Sequence, residues 1–510
     1  MKRIKINLLS IFMIVFCLSS INAQKIEWGN LEKSSRNYFP HIIGEDESDF
    51  FIFGQLKSDY IIERYDKANK SQKMKVIIEE EKIDGNKTFI EGVTYMKGRF
   101  VVLISYFDKK SKTSKLIAYG IDSKDGKRIK GEVEVFNLAI EKQKSYNFST
   151  LVTGDMSKLV VMHKGYNKKQ KKTRVNYKLL NADFETLTSR EDVFVAGDKS
   201  LGKASYGKRK IVDNDGSLYF LSGNQITVYD ANNNYEKWEE IIDYEKLGLD
   251  IGSRIANLDF TINNKNDLII TGYYSKEKNN FDGCFFLKVD GSSKEIVVTK
   301  INEFDQEFKN QFRNNRQEKK DKVVDVKKLF NDITIHNTLD DGIVLIGETH
   351  LEHHTDKSGR SLYLDLAVFK FSSSGNLEWA HRVPKKQKYS YNVTAAGNIS
   401  PGGGFARIYE YFSFVSTVTS DKLYIMFNDH PKNTTDDDKE KAIRDLSKSV
   451  INMFSIDLKS GDKNEKLFYG AKTDDVYLNT LTSFQQNEKT NLITFARKSS
   501  KYKFGIFQAE

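Results

Sequence analysis

Apolar and polar residues alternate through residues 366–383, LAVFKFSSSGNLEWAHRV, break at a polar turn closed by Gly375, and resume through Leu377 and Trp379. Alternation with a period of two predicts a strand, a tight turn and a second strand running back. The unit recurs as IIERYDKANK (61–70), LIAYGIDSKDG (116–126), VNYKLLNADF (175–184), ITVYDANNN (226–234), FFLKVDGSSK (285–294), AVFKFSSSG (367–375), INMFSIDLKSG (451–461) and KFGIFQAE (503–510). Matched positions 66, 122, 180, 230, 290, 372, 457 and 507 lie 56, 58, 50, 60, 82, 85 and 50 residues apart. A second pattern precedes most of these units: a polar turn opens a strongly apolar strand, as in MKGRFVVLISYF, KNDLIITGYY, DDGIVLIGET and SDKLYIMFND.

Each unit thus supplies a short first strand, a strongly apolar second, the third, and the strand after the turn. Four antiparallel strands repeated at a nearly fixed period predict an all-β chain folded as a β-propeller. A β-sandwich would not require units of equal length. The last unit ends where an outer strand should begin, while KIEWGN (25–30) places Ile26 and Trp28 at the spacing of Leu377 and Trp379. The N-terminal strand is therefore expected to complete the last blade and close the ring, which removes free sheet edges. Eight blades are expected, with seven as the alternative.

Two intervals are longer than the rest. Residues 303–330, EFDQEFKNQFRNNRQEKKDKVVDVKKLF, lack the period of two and are rich in helix formers, which predicts an insertion carrying a solvated helix. The second insertion is placed near residues 384–450. There Pro401 and Gly402 to Gly404 argue for a mobile surface loop, and Asp436 to Asp438 sit where a helix would start.

Residues 1–23 combine a basic start (Lys2, Arg3, Lys5), an apolar core and small residues ending in Ala23, the pattern of a cleaved secretory signal. The expected organisation is a signal peptide over 1–23 and one propeller domain over 24–510, with the mature chain in the periplasm or outside the cell. No other run is apolar enough to span a membrane. Cleavage would remove three of the 80 Lys and Arg and none of the 70 Asp and Glu, leaving a net charge near +7. So small a surplus describes a soluble surface and gives no reason to expect nucleic acid. The one dense basic cluster, KKQKKTR (168–174), is expected at a hairpin tip. Cleavage would also remove Cys17 and leave Cys284 alone, in an apolar run, as a buried small hydrophobe.

Candidate chemistry is sparse. His350, His353 and His354 with Glu352 and Asp356 bring together side chains of the kinds that bind zinc, in a segment expected to be the loop between the second and third strands of blade six. Their spacing matches no established site, and an exposed polar loop is the simpler expectation. Asp213, Asn214, Asp215 and Gly216 resemble the start of a calcium loop but lack its later acidic ligand and suit a hairpin turn. No nucleophile elbow, Walker loop or dinucleotide fingerprint occurs in a strand-to-helix setting. Paired carboxylates for glycoside cleavage would come from different blades and leave no local spacing.

At LDLAVFKFSSSGNLEW, IAYGIDSKDGKRI and FSIDLKSGDKNEK the chain resembles bacterial propellers with quinoprotein-like repeats, and the secreted β-propeller repeat proteins of Bacteroidetes. The resemblance implies the fold. The cofactor features of quinoprotein dehydrogenases do not carry over, since there is no adjacent cysteine pair and there are only three tryptophans. No cofactor, metal or catalytic residue is assigned. The expected function is an exported, monomeric, non-enzymatic module that binds a protein, peptide or glycan. The alternative is a polysaccharide-active hydrolase or lyase on the same scaffold.

Overall fold

The computed structural model describes residues 25–508 apart from 36–37, 57–58, 140–147, 168–171, 196–209, 223, 246–253, 277–279, 314, 328–329, 356–357, 394–398, 401–409, 434–440, 444–445, 470–475, 486–490 and 499. Apart from a two-stranded pairing of Asn280–Phe281 with Val326–Lys327, the strands fall into eight antiparallel sheets with four strands of each in simple up-and-down order, and these are the eight blades of a propeller. The first strands are Tyr38–Glu45, Asn86–Met96, Phe148–Val152, Lys210–Val212, Arg254–Ile262, Phe330–Asn337, Val415–Val418 and Tyr477–Phe484. First strands of successive blades touch one another around most of the ring, so they surround the axis. Second strands are the most buried, and all eight residues of Leu268–Ser275 are inaccessible. Their continuous apolar runs follow, because both faces of each such strand pack against a neighbouring blade.

The hydrophobic core is a ring of eight clusters, one between each pair of adjacent blades. The ring closes as the N-terminal pattern predicts. Lys25–Trp28 pairs antiparallel with Lys501–Gln508, setting Ile26 against Phe507 and Trp28 against Gly505. A Cβ at Gly505 would lie 2.5 Å from Ile26 Cγ2 and 2.6 Å from Trp28 Cε3, so this seam admits only glycine there. Gly375 ends the turn of the opening motif with φ +77°, and a side chain there would also strike the Phe286 ring.

The insertions differ from expectation in three ways. First, residues 303–330 hold two short helical turns, Gln306–Asn310 and Asn315–Glu318, and not a solvated helix. Phe304, Phe308 and Phe312 form a stripe at helical spacing, and Phe308 is buried against Phe304 (4.9 Å) and Phe369 (5.1 Å). The segment therefore caps the core between blades five and six.

Second, the span 384–450 contains the first two strands of blade seven, Val415–Val418 and Lys422–Asp429, so it comprises two insertions flanking them. The first of these contributes a strand, Gln387–Val393, which pairs with the start of Ser358–Phe371. Pro401 to Gly404 and Asp436 to Asp438 lie outside the described residues, as does the tip of the 168–174 hairpin, whose strands pair as far as Asn167 and Lys172.

Third, the histidine segment is a strand. Ile343–His354 pairs with Ser358–Phe371 past a bulge between Glu348 and His350. All these added segments lie at the end of the disc where first strands begin and second strands finish. Tyr389, Phe412 and Ile443, with Tyr363, form a small separate core beneath them. Among the described residues, no helix is long and apolar enough to cross a membrane.

Candidate functional site

Around the axis, the arc of blades five to eight is drawn together by side chains of the first strands. Thr261 donates to Asn337 Oδ1 at 3.2 Å and Asn337 to the Ile262 carbonyl at 2.6 Å. His336 Nε2 and Ser416 Oγ lie 2.8 Å apart, and Thr417 donates to Gln485 Oε1 at 2.7 Å. From blade eight through blade four the first strands also touch in succession. There a cavity of about 440 Å³ opens near the turns joining first to second strands. Its wall comes from five blades: Phe484 and Gln485, Ile43, Thr94, residues 151–154 with Met156, and residues 210–212. Only the axial channel is bordered by first strands of so many blades. The volume falls in the range of small-molecule sites.

Most of the wall is apolar, formed by Ile43, Leu151, Val152, Met156, Ile211, Val212 and Phe484. Lys210 is its one charged residue. Alternation along Lys210–Val212 sends Lys210 and Val212 to the same side, toward blade three. Lys210 Nζ donates to Ser149 Oγ at 2.8 Å and approaches Met162 Sδ at 3.9 Å. Burial, with the nearby Lys164 charge, holds its ammonium below the usual lysine range. No carboxylate forms an ion pair with it among the described residues. The acids of the adjoining turns are engaged locally: Asp155 accepts from Thr153 Oγ1 at 2.6 Å and from the Ser157 amide at 3.0 Å, and Asp213 accepts from the Asn214 amide at 2.7 Å. Paired carboxylates of the kind that cleave glycosides are not among the lining residues.

His336, half-buried beside Ser416 of blade seven, has its pKa lowered by burial from 6.5 to about 4. The unfolded chain then binds more protons than the folded one between those values. The stability tied to a neutral His336 is complete above about pH 6.5 and is lost as pH falls toward 4, by up to about 3 kcal/mol. His336→Gln should flatten this part of a pH–stability curve measured by chemical unfolding. An unchanged slope between pH 6.5 and 4 would show that His336 is not the group responsible.

The residues singled out from the sequence do not meet at this cavity. His350 lies at the far end of blade six, where Ile343–His354 runs away from the cavity end of the disc. It stacks on Tyr363 (4.2 Å), and its ring nitrogens are 3.6 Å from Asp332 and 3.7 Å from Glu352. Those acids, Asp332 first, raise its pKa. His353 is opposite Arg360 in the register. Strand alternation sends positions 350 and 353 to opposite faces, so His350 and His353 do not converge; Asp356 lies outside the described residues. Among the described residues, no group of three His, Cys, Asp or Glu is placed to hold a metal ion.

Asp213 to Gly216 form the turn between Lys210–Val212 and Leu218–Ser222. The Asp215 carboxylate accepts from the Ser217 amide and hydroxyl and from Asn232, so it serves the turn. Cys284 is fully buried and its thiol pKa is raised by that burial. Lys210, Ser149 and Thr94 were not visible as a set in the sequence, because each comes from a different blade with no shared local spacing.

No protein-family model matches the chain, and no curated protein matches its sequence. Solved structures with a similar fold include the Dos1 propeller (10% identity, covering 83% of this chain and 94% of that one, TM-score 0.33). They include the polysaccharide lyase Uly1 (8% identity, 96% and 93%, TM-score 0.36). The β-propeller domain of the Trilobed protease from Pyrococcus furiosus is also similar (8% identity, 83% and 82%, TM-score 0.32). The propeller is thus shared with proteins of unlike activity, and likenesses this distant carry no argument about this chain's chemistry.

Proposed function

We propose that this protein is an exported, non-enzymatic binding propeller that takes a small polar ligand, such as one end of a glycan, into the cavity of its axial channel. One observation carries the proposal: a cavity of about 440 Å³ bordered by first strands of five blades, mostly apolar with a few polar groups. Export is part of the proposal because of the signal-like residues 1–23. N-terminal sequencing of the mature protein should begin at Gln24.

The binding reading is tested by filling the channel. Thr94→Trp places an indole in the cavity from a position with no hydrogen bond to lose among the described residues. A glycan array followed by calorimetry should find ligands for the wild type whose affinity falls at least tenfold in Thr94→Trp. His353→Ala, at the other end of the disc, should bind them normally. If Thr94→Trp binds as the wild type does and His353→Ala loses the ligand, the site is on the insertion face and the channel assignment is wrong.

A further inference from the structure

The wall of the channel cavity is unbalanced in charge, and the imbalance points to the class of ligand. Lys210 is the one charged residue in the lining, and its partners among the described residues are a hydroxyl and a thioether. An ammonium half withdrawn from water beside apolar side chains keeps its charge at a cost unless an opposite charge comes to it. The usual remedy in this protein is a neighbouring carboxylate. Lys288 lies 3.3 Å from Asp267, Lys294 lies 2.8 Å from Asp230 and Lys370 lies 2.8 Å from Asp340. At Lys210 that remedy is missing among the described residues, and the second nearby charge, Lys164, is of the same sign.

The geometry around Lys210 is also suited to an anion. Ser149 Oγ accepts from Lys210 Nζ at 2.8 Å, which leaves the serine proton to donate outward. Ammonium and hydroxyl, from neighbouring blades, thus form a pair of donors about one hydrogen bond apart, the spacing that two oxygens of one oxyanion can bridge. Thr94 adds a hydroxyl with no partner among the described residues, and Phe484, Met156 and Val212 supply an apolar wall for the remainder of the ligand.

Resting on the channel reading above, we infer that the cavity selects a small hydroxylated molecule carrying an oxyanion, anchored by Lys210 in the wall and by Ser149, exposed beside it just outside the lining. A uronic acid residue of an acidic glycan and a sugar phosphate share this chemistry. No bond is made or broken. Recognition consists of a charge-assisted hydrogen bond from Nζ, a second from Oγ, and contact between the ring and the apolar wall.

The test uses the whole mature protein and calorimetry at low and moderate salt with four probes: glucuronate, galacturonate, glucose 6-phosphate and glucose. Lys210→Met removes the charge at similar length, and Lys210→Arg retains it. Thermal unfolding of both variants checks that they fold. The expected result is that at least one anionic probe binds tenfold or more tighter than glucose, that Lys210→Met abolishes this difference, and that Lys210→Arg restores part of it. Preference for a uronate assigns the carboxylate source; preference for glucose 6-phosphate assigns the phosphate source. If glucose binds as tightly as the anions and Lys210→Met changes nothing, the charge inference is overturned while the channel reading stands. If no probe binds at millimolar concentration, the inference is overturned as well, and the channel is then judged by Thr94→Trp alone.

Discussion

Lys385→Met should be among the most destabilising single substitutions in this protein, lowering the free energy of unfolding by about 3–5 kcal/mol. Lys385 is wholly buried with its ammonium on the Glu348 carboxylate, itself 1% exposed. The surroundings are polar but finite. Lys385 Nζ also donates to Gln387 Oε1 at 3.2 Å and lies 5.7 Å from the Tyr363 ring centre. Ser413 Oγ donates to Glu348 Oε2 at 2.5 Å, and its amide donates to Gln387 Oε1 at 2.8 Å. Gln387 then donates to the Asn428 carbonyl at 2.8 Å, and Asn428 exchanges hydrogen bonds with Leu478 at 2.7 and 3.1 Å.

One buried network thus ties blade six, the insertion after it, blade seven and blade eight. Methionine at 385 fills the space of the lysine stem but strands the Glu348 carboxylate in the interior, and that stranded charge dominates the cost. Burial already holds the Lys385 ammonium below the usual lysine range, with Glu348 opposing the shift. The double variant Lys385→Met, Glu348→Leu should recover most of the loss, because two apolar groups leave no unpaired charge. Denaturant unfolding of the two single variants and the double variant measures this. Additive losses in the double variant would show that the pair is not coupled.

Ile26→Asp should cost about 3 kcal/mol or more and make the protein aggregate more than the wild type does. Ile26 is 6% exposed and lies in the cluster between blades seven and eight, with Tyr424, Met426, Met453, Leu492 and Phe507. A carboxylate there has no described cation in its cluster and is expected to take up a proton or expel the strand. Expulsion bares the edge of Lys501–Gln508, a largely apolar strand that would then offer unpaired backbone groups to another molecule. The penalty should shrink below the pKa of the introduced carboxyl, since the neutral acid is cheaper to bury. Unfolding curves at pH 7 and pH 4, with light scattering, decide the matter. A variant as stable and as monodisperse as the wild type at pH 7 would mean that the N-terminal strand does not hold the ring closed.

Much of this architecture was legible in the chain, and particular residues show why. The match of Ile26 and Trp28 to Leu377 and Trp379 is a match of local alternation, and local alternation is what selects a strand and its buried face. The lengthened intervals located the insertions. Their contents were harder to read. Phe304, Phe308 and Phe312 have the spacing of a buried helical stripe, yet the surrounding Lys, Arg and Glu suggested a solvated surface. The alternation in KYSYNV was a strand signal, but its pairing with the far end of a lengthened hairpin depends on how far Ile343–His354 continues past the bulge after Glu348. The histidines look like a cluster when counted along the chain. In a strand, neighbouring positions face apart, so proximity in sequence became separation in space.

By itself the sequence determined the class of fold and the strand that closes the ring and pointed to eight blades over seven, because each of these is set by apolar patterns a few residues long; the structure settled the count at eight. Only the tertiary structure decided which side chains meet between blades and what lines the cavity on the axis. That depends on single side chains from different blades, such as Asn337 bonding to blade five and Lys210 reaching Ser149 on blade three, meeting across distances that no local pattern encodes.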